Sequence, residues 1–174
     1  MQPERKLAER FTVITDPANR AEAEALVTIG ATKTGAAFME EMPKLKLICC
    51  FGSGHEGVDI AAAEARGIKV ANTVGANAAT VADLAVALLL ASIRKIVEAD
   101  RLTRTGKWRG ENPASLLFLR GLTGRRIGIV GLGAIGLKIA TRLEGFETEI
   151  GYTGRNEKQG VPYRYFRSAL DLAT

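Results

Sequence analysis

The sequence predicts an α/β protein built on parallel sheets. Three observations carry that expectation. Short apolar strands alternate with helical segments through residues 1–76. Further on, a β-branched strand runs straight into a glycine-rich turn and an amphipathic helix. The 174 residues are 47% hydrophobic and 25% charged, an ordinary globular composition with enough chain for one full domain or two small ones. Alternating strands and helices imply a parallel sheet with helices packed on its faces.

Taken in order, Phe11–Ile14 reads as a first strand, Ala18–Ala25 as a short Ala/Glu-rich helix and Ala25–Ile29 as a second strand. A loop follows from Gly30 to Gly35. Phe38–Met42 suits a helical turn that Pro43 terminates. Leu45–Cys50 is a third strand, mostly apolar as a central parallel strand should be. Phe51-Gly52-Ser53-Gly54-His55 is then a glycine-rich strand-to-helix loop, whose backbone can approach a ligand and whose successive N–H groups can form an anion nest. Asp59 can cap a helix from Ile60 to Arg66, and Gly67 ends it. Ile68–Ala71 is a fourth strand.

Asn72–Ala79, with Gly75 and Asn77, is the expected hinge. Thr80 opens a long helix, with Asp83 where a capping box has Glu or Gln. Val81, Leu84, Ala85, Leu88, Leu89 and Ile96 are spaced for one broad apolar face, and residues 94–104 turn polar. Gly106–Gly110 ends the helix and begins a turn-rich connection to Leu116–Gly124. The chain carries no internal repeat and no low-complexity tract.

The organising stretch is Gly124–Gly136. Ile127, Ile129 and Val130 make a short buried strand, and the glycines follow at once. From Ala134 the pattern becomes helical, with Ile135, Ile139, Ala140 and Leu143 on one side. A G-x-G-x-x-G placed between strand and helix is the context that gives this motif meaning. Gly131 permits the tight turn, Gly133 leaves room for a pyrophosphate, and Gly136 lets helix and strand pack closely. The helix N-terminus offers N–H groups and a positive dipole end to phosphates. The competing reading is an ordinary strand-to-helix turn.

A second strand, Glu149–Thr153, refines the ligand. NAD-preferring sites place Asp or Glu near its end, bonding the ribose 2′-OH. Here the strand runs into Gly154 and Arg155. A carboxylate would repel a 2′-phosphate, whereas an arginine can hold one with charge-assisted hydrogen bonds, which favours NADP over NAD. The alternative is a solvated loop arginine. Lys158 is either an assistant to it or plain surface charge.

The formal net charge is +5, with basic residues scattered among 19 acidic ones. No Lys/Arg block interleaves with aromatics, so nucleic acid is not an expected partner. The balance suits anionic ligands such as NADP and small carboxylates. The charged N-terminal residues leave no room for a signal-peptide core, and the longest apolar run, Leu84–Ile93, is too short to span a bilayer. The adjacent Cys49 and Cys50 read as packed thiols without metal-ligand spacing, which suits a reducing cytoplasm.

Four blocks together resemble one family. They are Phe51-Gly-Ser-Gly-His-Glu-Gly-Val-Asp59, continued by Arg66–Thr73; Thr80–Leu90; Gly106-Lys-Trp108; and Gly131–Gly136 with Tyr152-Thr-Gly-Arg155. The sequence is similar to the D-isomer-specific 2-hydroxyacid dehydrogenases, and within them to the NADP-preferring glyoxylate/hydroxypyruvate reductases. The similarity runs from about Leu45 to the end of the chain and is weaker before it.

The resemblance implies a flavodoxin-like parallel-sheet substrate domain over residues 1–76. The first part of a Rossmann dinucleotide-binding domain would follow over residues 77–174, with a cleft between the two. It implies that backbone N–H groups at Ser53 and Gly54 hold the carboxylate of a small 2-oxoacid. Val81 would lie near the nicotinamide, Ala134 and Ile135 would flank the pyrophosphate, and Arg155 would meet the 2′-phosphate. The helix from Thr80 would help to build a homodimer; simple core packing explains the same apolar face equally well.

The family's catalytic Arg, Glu and His are not assignable here and would lie beyond Thr174. The chain therefore reads as an N-terminal half, inactive by itself. His55 is the only histidine; lining a pocket or facing solvent suits it better than replacing the family's catalytic one. Only two strands of the cofactor domain are visible. Glu147 stands where relatives place a helix-ending glycine, so the turn is expected to shift onto Gly145. The implied function is hydride transfer between NADP(H) and glyoxylate or hydroxypyruvate. The alternative is a truncated, non-catalytic nucleotide- or partner-binding relative.

Overall fold

A computed structural model describes residues 3–109, 116 and 119–174. It comprises two compact units, residues 1–76 and 77–174.

The first unit runs α1 (Pro3–Ala8), a 3-10 helix (Pro17–Glu22), β1 (Ala25–Thr28), α2 (Ala36–Glu40), β2 (Leu47–Cys50), α3 (Ile60–Ala65) and β3 (Lys69–Asn72). The three strands form one parallel sheet in the order β1-β2-β3, with Ile48 registered between Leu26 and Val70. Its core gathers Met39, Met42, Leu45, Ile48, Cys50, Val58, Ala63 and Ile68. Asp59 caps α3 as its position suggests: its Oδ1 accepts the Ala62 N–H at 3.0 Å. Gly67, at φ 68°, closes the same helix. Both cysteines are free thiols, Cys49 half-buried and Cys50 buried, and burial pushes the Cys50 thiol up from its usual value.

Phe11–Ile14 is not a strand. It has no ladder partner among the described residues, and Phe11 is 63% exposed. Its β-branched and aromatic residues suit a pleated, half-buried surface, but no sheet lies beneath them, and propensity without packing does not make a strand. The helix expected over Ala18–Ala25 is the 3-10 turn, capped by Asp16 accepting the Ala18 N–H at 2.9 Å.

The second unit runs α4 (Ala78–Ile93), α5 (Ile96–Arg104), a 3-10 turn (Lys107–Arg109), β4 (Arg126–Val130), α6 (Ala134–Glu144), β5 (Glu149–Thr153), β6 (Arg164–Phe166) and α7 (Ala169–Ala173). Gly110 and most of the connection toward Leu116–Gly124 lie outside the described residues. The sheet is parallel in the order β4-β5-β6. One core, Ile129, Leu132, Ala140 and Tyr152, underlies the glycine turn; another joins Val86, Leu122 and Leu143.

Four expectations change here. A third strand, β6, stands beside β5, although only two were anticipated; at three residues it is too short for its alternation to register. The long helix breaks at Lys95, which adopts φ 48°, so α4 and α5 are separate. The single apolar face divides: Ala82 and Val86 point inward, whereas Leu84 and Leu88 are 59% and 61% exposed. Asp83 forms no capping box, because α4 begins at Ala78 and the Asp83 carboxylate instead accepts the Arg142 Nε–H at 2.5 Å.

The turn after α6 does not shift onto Gly145. Gly145 remains right-handed at φ −64°, and Glu147 takes φ 57°. The geometry holds because the Gly124 N–H donates to the Glu147 carbonyl at 3.0 Å and the Thr148 hydroxyl donates to that of Leu143 at 3.0 Å. A left-handed non-glycine residue costs on the order of 1 kcal/mol. Glu147→Gly is therefore expected to raise stability by up to about 1 kcal/mol, since glycine's greater freedom in the unfolded chain offsets part of the relief. A urea midpoint that stays level or falls would contradict this.

Two strand glycines admit α7. A Cβ at Gly128 would stand 2.9 Å from Leu172 Cγ, and one at Gly151 would stand 2.7 Å from the Phe166 ring. Leu172 thus lies flat on the sheet where larger residues would hold it off. No helix among the described residues is long and apolar enough to cross a membrane.

Candidate functional site

At the carboxyl ends of β4 and β5 the glycine turn meets the start of the Arg155 loop. β4 delivers the chain into Gly131, which adopts φ 94°, a conformation L side chains rarely adopt. The Gly131 N–H donates to the Thr153 carbonyl at 2.8 Å, tying the glycine turn to the end of β5. Leu132 anchors the turn in the core. Gly133 is the N-cap residue of α6 and brings no side chain to cap it. The first-turn N–H groups, including Ala134, Ile135 and Gly136, have no carbonyl ahead of them within the helix. Ala134 and Ile135 are exposed there, and Gly136 is buried.

The glycines divide by what they are needed for. A Cβ at Gly136 would come 2.2 Å from the Gly131 carbonyl oxygen, so that position serves helix-to-strand packing. A Cβ at Gly133 would meet nothing within 4 Å, and its φ of −80° is open to any residue. Neither backbone conformation nor neighbouring protein atoms require a glycine at 133.

β5 ends in buried Thr153, and Arg155 follows on an exposed loop. Among the described residues no carboxylate or carbonyl takes the Arg155 guanidinium. Tyr152 and Tyr165, neighbours in register on β5 and β6, reach this loop with their hydroxyls. The sequence pattern assigns neither hydroxyl a role, although Tyr152 stands in the Tyr152–Arg155 block. The available signal was a tyrosine within a buried strand, whose hydroxyl needs a partner. Val81 lies half-buried in the first turns of α4, in the same unit.

In the first unit, Ser53 and Gly54 sit on the loop after β2. Gly52, at φ 120°, starts that loop; its N–H donates to the Thr73 hydroxyl at 3.1 Å and its carbonyl accepts the Thr73 N–H at 2.9 Å. Asn72 donates from Nδ2 to the Ser53 carbonyl at 2.8 Å. The far side packs backbone to backbone: the Gly57 N–H donates to the Gly30 carbonyl at 2.7 Å, and a Cβ at Gly30 would collide with the Gly54 carbonyl at 2.1 Å. The loop is thus held from two directions. His55 is exposed, its Nδ1 3.4 Å from Asn72 Nδ2, with no carboxylate bonded to its ring among the described residues. It opens on a groove of about 480 Å³ shared with Glu64 and Lys69. No group of three or more potential metal ligands occurs among the described residues.

Comparison with known proteins bears on the family and the fold. The model of the D-isomer specific 2-hydroxyacid dehydrogenase catalytic domain matches residues 11–162. A glyoxylate reductase of Thermococcus litoralis is 45% identical over 158 residues, covering 88% of this chain and 47% of that protein. A hydroxyphenylpyruvate reductase of Plectranthus scutellarioides is 36% identical over 182 residues, covering 98% of this chain and 57% of that one. Among solved structures, an NADPH-dependent glyoxylate/hydroxypyruvate reductase from Sinorhizobium meliloti superposes with a TM-score of 0.85 at 33% identity, over 99% of this chain and 57% of that one. An NAD-dependent formate dehydrogenase from Staphylococcus aureus gives 0.80 at 27%, over 98% and 54%. The chain spans about half the length of the curated relatives it matches.

Proposed function

The chain belongs to the D-isomer-specific 2-hydroxyacid dehydrogenase family, and on that premise we propose that it forms the NADP(H) site and the substrate-carboxylate loop of a small 2-oxoacid reductase. Residues 77–174 act as the cofactor domain and residues 1–76 as the substrate domain, with glyoxylate or hydroxypyruvate as the substrate class. When bound, the nicotinamide cofactor would supply hydride exchange with the 2-carbon of such a substrate.

The chain's own residues bind and orient. Gly131 turns the backbone, and Gly133, Ala134 and Ile135 present N–H groups to the pyrophosphate at the positive end of the α6 dipole. Gly136 keeps that helix against the sheet, and Val81 borders the nicotinamide. Arg155 carries the 2′-phosphate contact that separates NADP from NAD. Backbone N–H groups at Ser53 and Gly54 hold the substrate carboxylate on a loop that is already braced, so little ordering is needed on binding. Exposed Leu84 and Leu88 on α4 suit a homodimer, and the unpaired thiols suit the cytoplasm.

The observation that carries this reading is Gly133: no neighbouring protein atom and no left-handed angle calls for glycine there, and a pyrophosphate pressed against the backbone would. Gly133→Ala is expected to lower the melting temperature only slightly, since alanine is a poorer N-cap than glycine, and to weaken NADPH binding by about tenfold or more, because the added methyl occupies pyrophosphate space. Calorimetric titration of both proteins tests it. Equal affinities in the two would contradict the site; absence of binding to the wild-type chain would contradict the function.

A further inference from the structure

The loop from Gly154 to Lys158 belongs to no ladder, yet it is held at both ends by side chains from beneath. At its start, the Tyr165 hydroxyl donates to the Gly154 carbonyl at 3.2 Å. At its end, the Tyr152 hydroxyl accepts the Lys158 N–H at 2.7 Å, with its own proton facing the Lys158 carbonyl at 3.5 Å. Arg155, Asn156 and Glu157 lie between the two anchors and are exposed. The rings come from adjacent strands in register, their centroids 5.3 Å apart and tilted by 54°. Tyr152 is 1% exposed.

Core packing accounts for the rings but not for the hydroxyls. Phenylalanine would fill the same space without bringing a polar group into a buried layer. The two hydroxyls converge on one loop, and that loop carries the arginine that discriminates between the dinucleotides. An arginine on an unsupported loop must be ordered at each binding event, whereas anchored flanks remove part of that cost.

We infer that Tyr152 and Tyr165 are paired positioning residues, whose hydroxyls fix the Arg155 loop and thereby set NADP over NAD selectivity. The inference rests on the cofactor reading above. Neither tyrosine need touch the dinucleotide. Their effect passes through Arg155, so it is confined to the nucleotide bearing a 2′-phosphate.

The test titrates NADPH and NADH into the wild-type chain, Tyr152→Phe, Tyr165→Phe, Arg155→Ala and each Tyr→Phe change combined with Arg155→Ala. Each hydroxyl deletion is expected to weaken NADPH about three- to tenfold, as befits one lost hydrogen bond, and to leave NADH within about twofold. In the Arg155→Ala background the same deletions are expected to change NADPH affinity by less than about twofold, since coupled residues do not add. Unchanged NADPH preference in both Tyr→Phe variants would overturn the inference. So would an equal loss for both nucleotides, or a full loss persisting without Arg155, since either marks general loosening. If Tyr152→Phe does not fold by circular dichroism, Tyr165→Phe decides alone, its ring being only partly buried. A wild-type chain that binds neither nucleotide defeats the cofactor reading, and this inference with it.

Discussion

Arg155→Asp is expected to invert the nucleotide preference, weakening NADPH by about 10- to 100-fold and strengthening NADH by a few-fold. The estimate follows from the worth of hydrogen bonds to charged groups, about 1.5–3 kcal/mol each. The wild-type guanidinium is exposed and, among the described residues, unclaimed by any carboxylate, so it is available to a phosphate. Aspartate there would repel the 2′-phosphate and could accept a bond from the 2′-OH of NAD. Because the position faces solvent, screening limits the effect. The loss should shrink as salt is raised, the Debye length being about 10 Å at 0.1 M. Titrations at two ionic strengths check both parts. Equal NADPH affinity in the two proteins would remove Arg155 from the site.

Gly136→Ala carries the largest expected cost to stability. Alanine in a helix interior normally gains up to about 1 kcal/mol over glycine. Here the new Cβ would stand 2.2 Å from the Gly131 carbonyl oxygen, and a second contact with the Ile129 side chain lies at 3.3 Å. The first obstacle is backbone and cannot swing aside as a side chain could. Overpacking of this kind costs about 1–3 kcal/mol or more, so the clash outweighs the propensity gain and a net loss of about 2 kcal/mol is expected. Displacing the Gly131 turn would also strain its bond to the Thr153 carbonyl, so nucleotide binding should fall together with the melting temperature. Gly133→Ala, by contrast, should lose binding with only the small fall in melting temperature of a poorer N-cap. If both variants melted like wild type, the division of labour among these glycines would be wrong.

The legible parts of this chain are those where local pattern and tertiary packing agree. Ile127, Ile129 and Val130 announced β4, though of the three only Ile129 is buried and Val130 is 75% exposed, and the glycines after them announced the turn, because a strand entering a helix leaves few alternatives. Asp59 announced its cap for the same local reason. The misreadings arise where packing decides. Phe11–Ile14 has strand-like residues without a sheet to receive them. Arg164–Phe166 is a strand chiefly because β5 stands beside it. Lys95 and Glu147 adopt left-handed angles that nothing in their identity foretells, and Glu147 does so because Gly124 and Thr148 bond across its turn. At the candidate site, the glycines and Arg155 were readable as motif positions. The roles of the Tyr152 and Tyr165 hydroxyls were not, even though Tyr152 opens the Tyr152–Arg155 block, because their importance lies in where two hydroxyls converge, which no spacing along the chain encodes.

The most direct test of the central claim is a titration of the isotope-labelled chain with NADPH, followed residue by residue through its backbone amide resonances. Saturable shifts are expected at Gly131, Gly133, Ala134, Ile135 and Gly136, together with Gly154 and Arg155. NADH is expected to move the first group more than the second. Shifts absent at millimolar NADPH, or confined to residues away from the ends of β4 and β5, would contradict the claim.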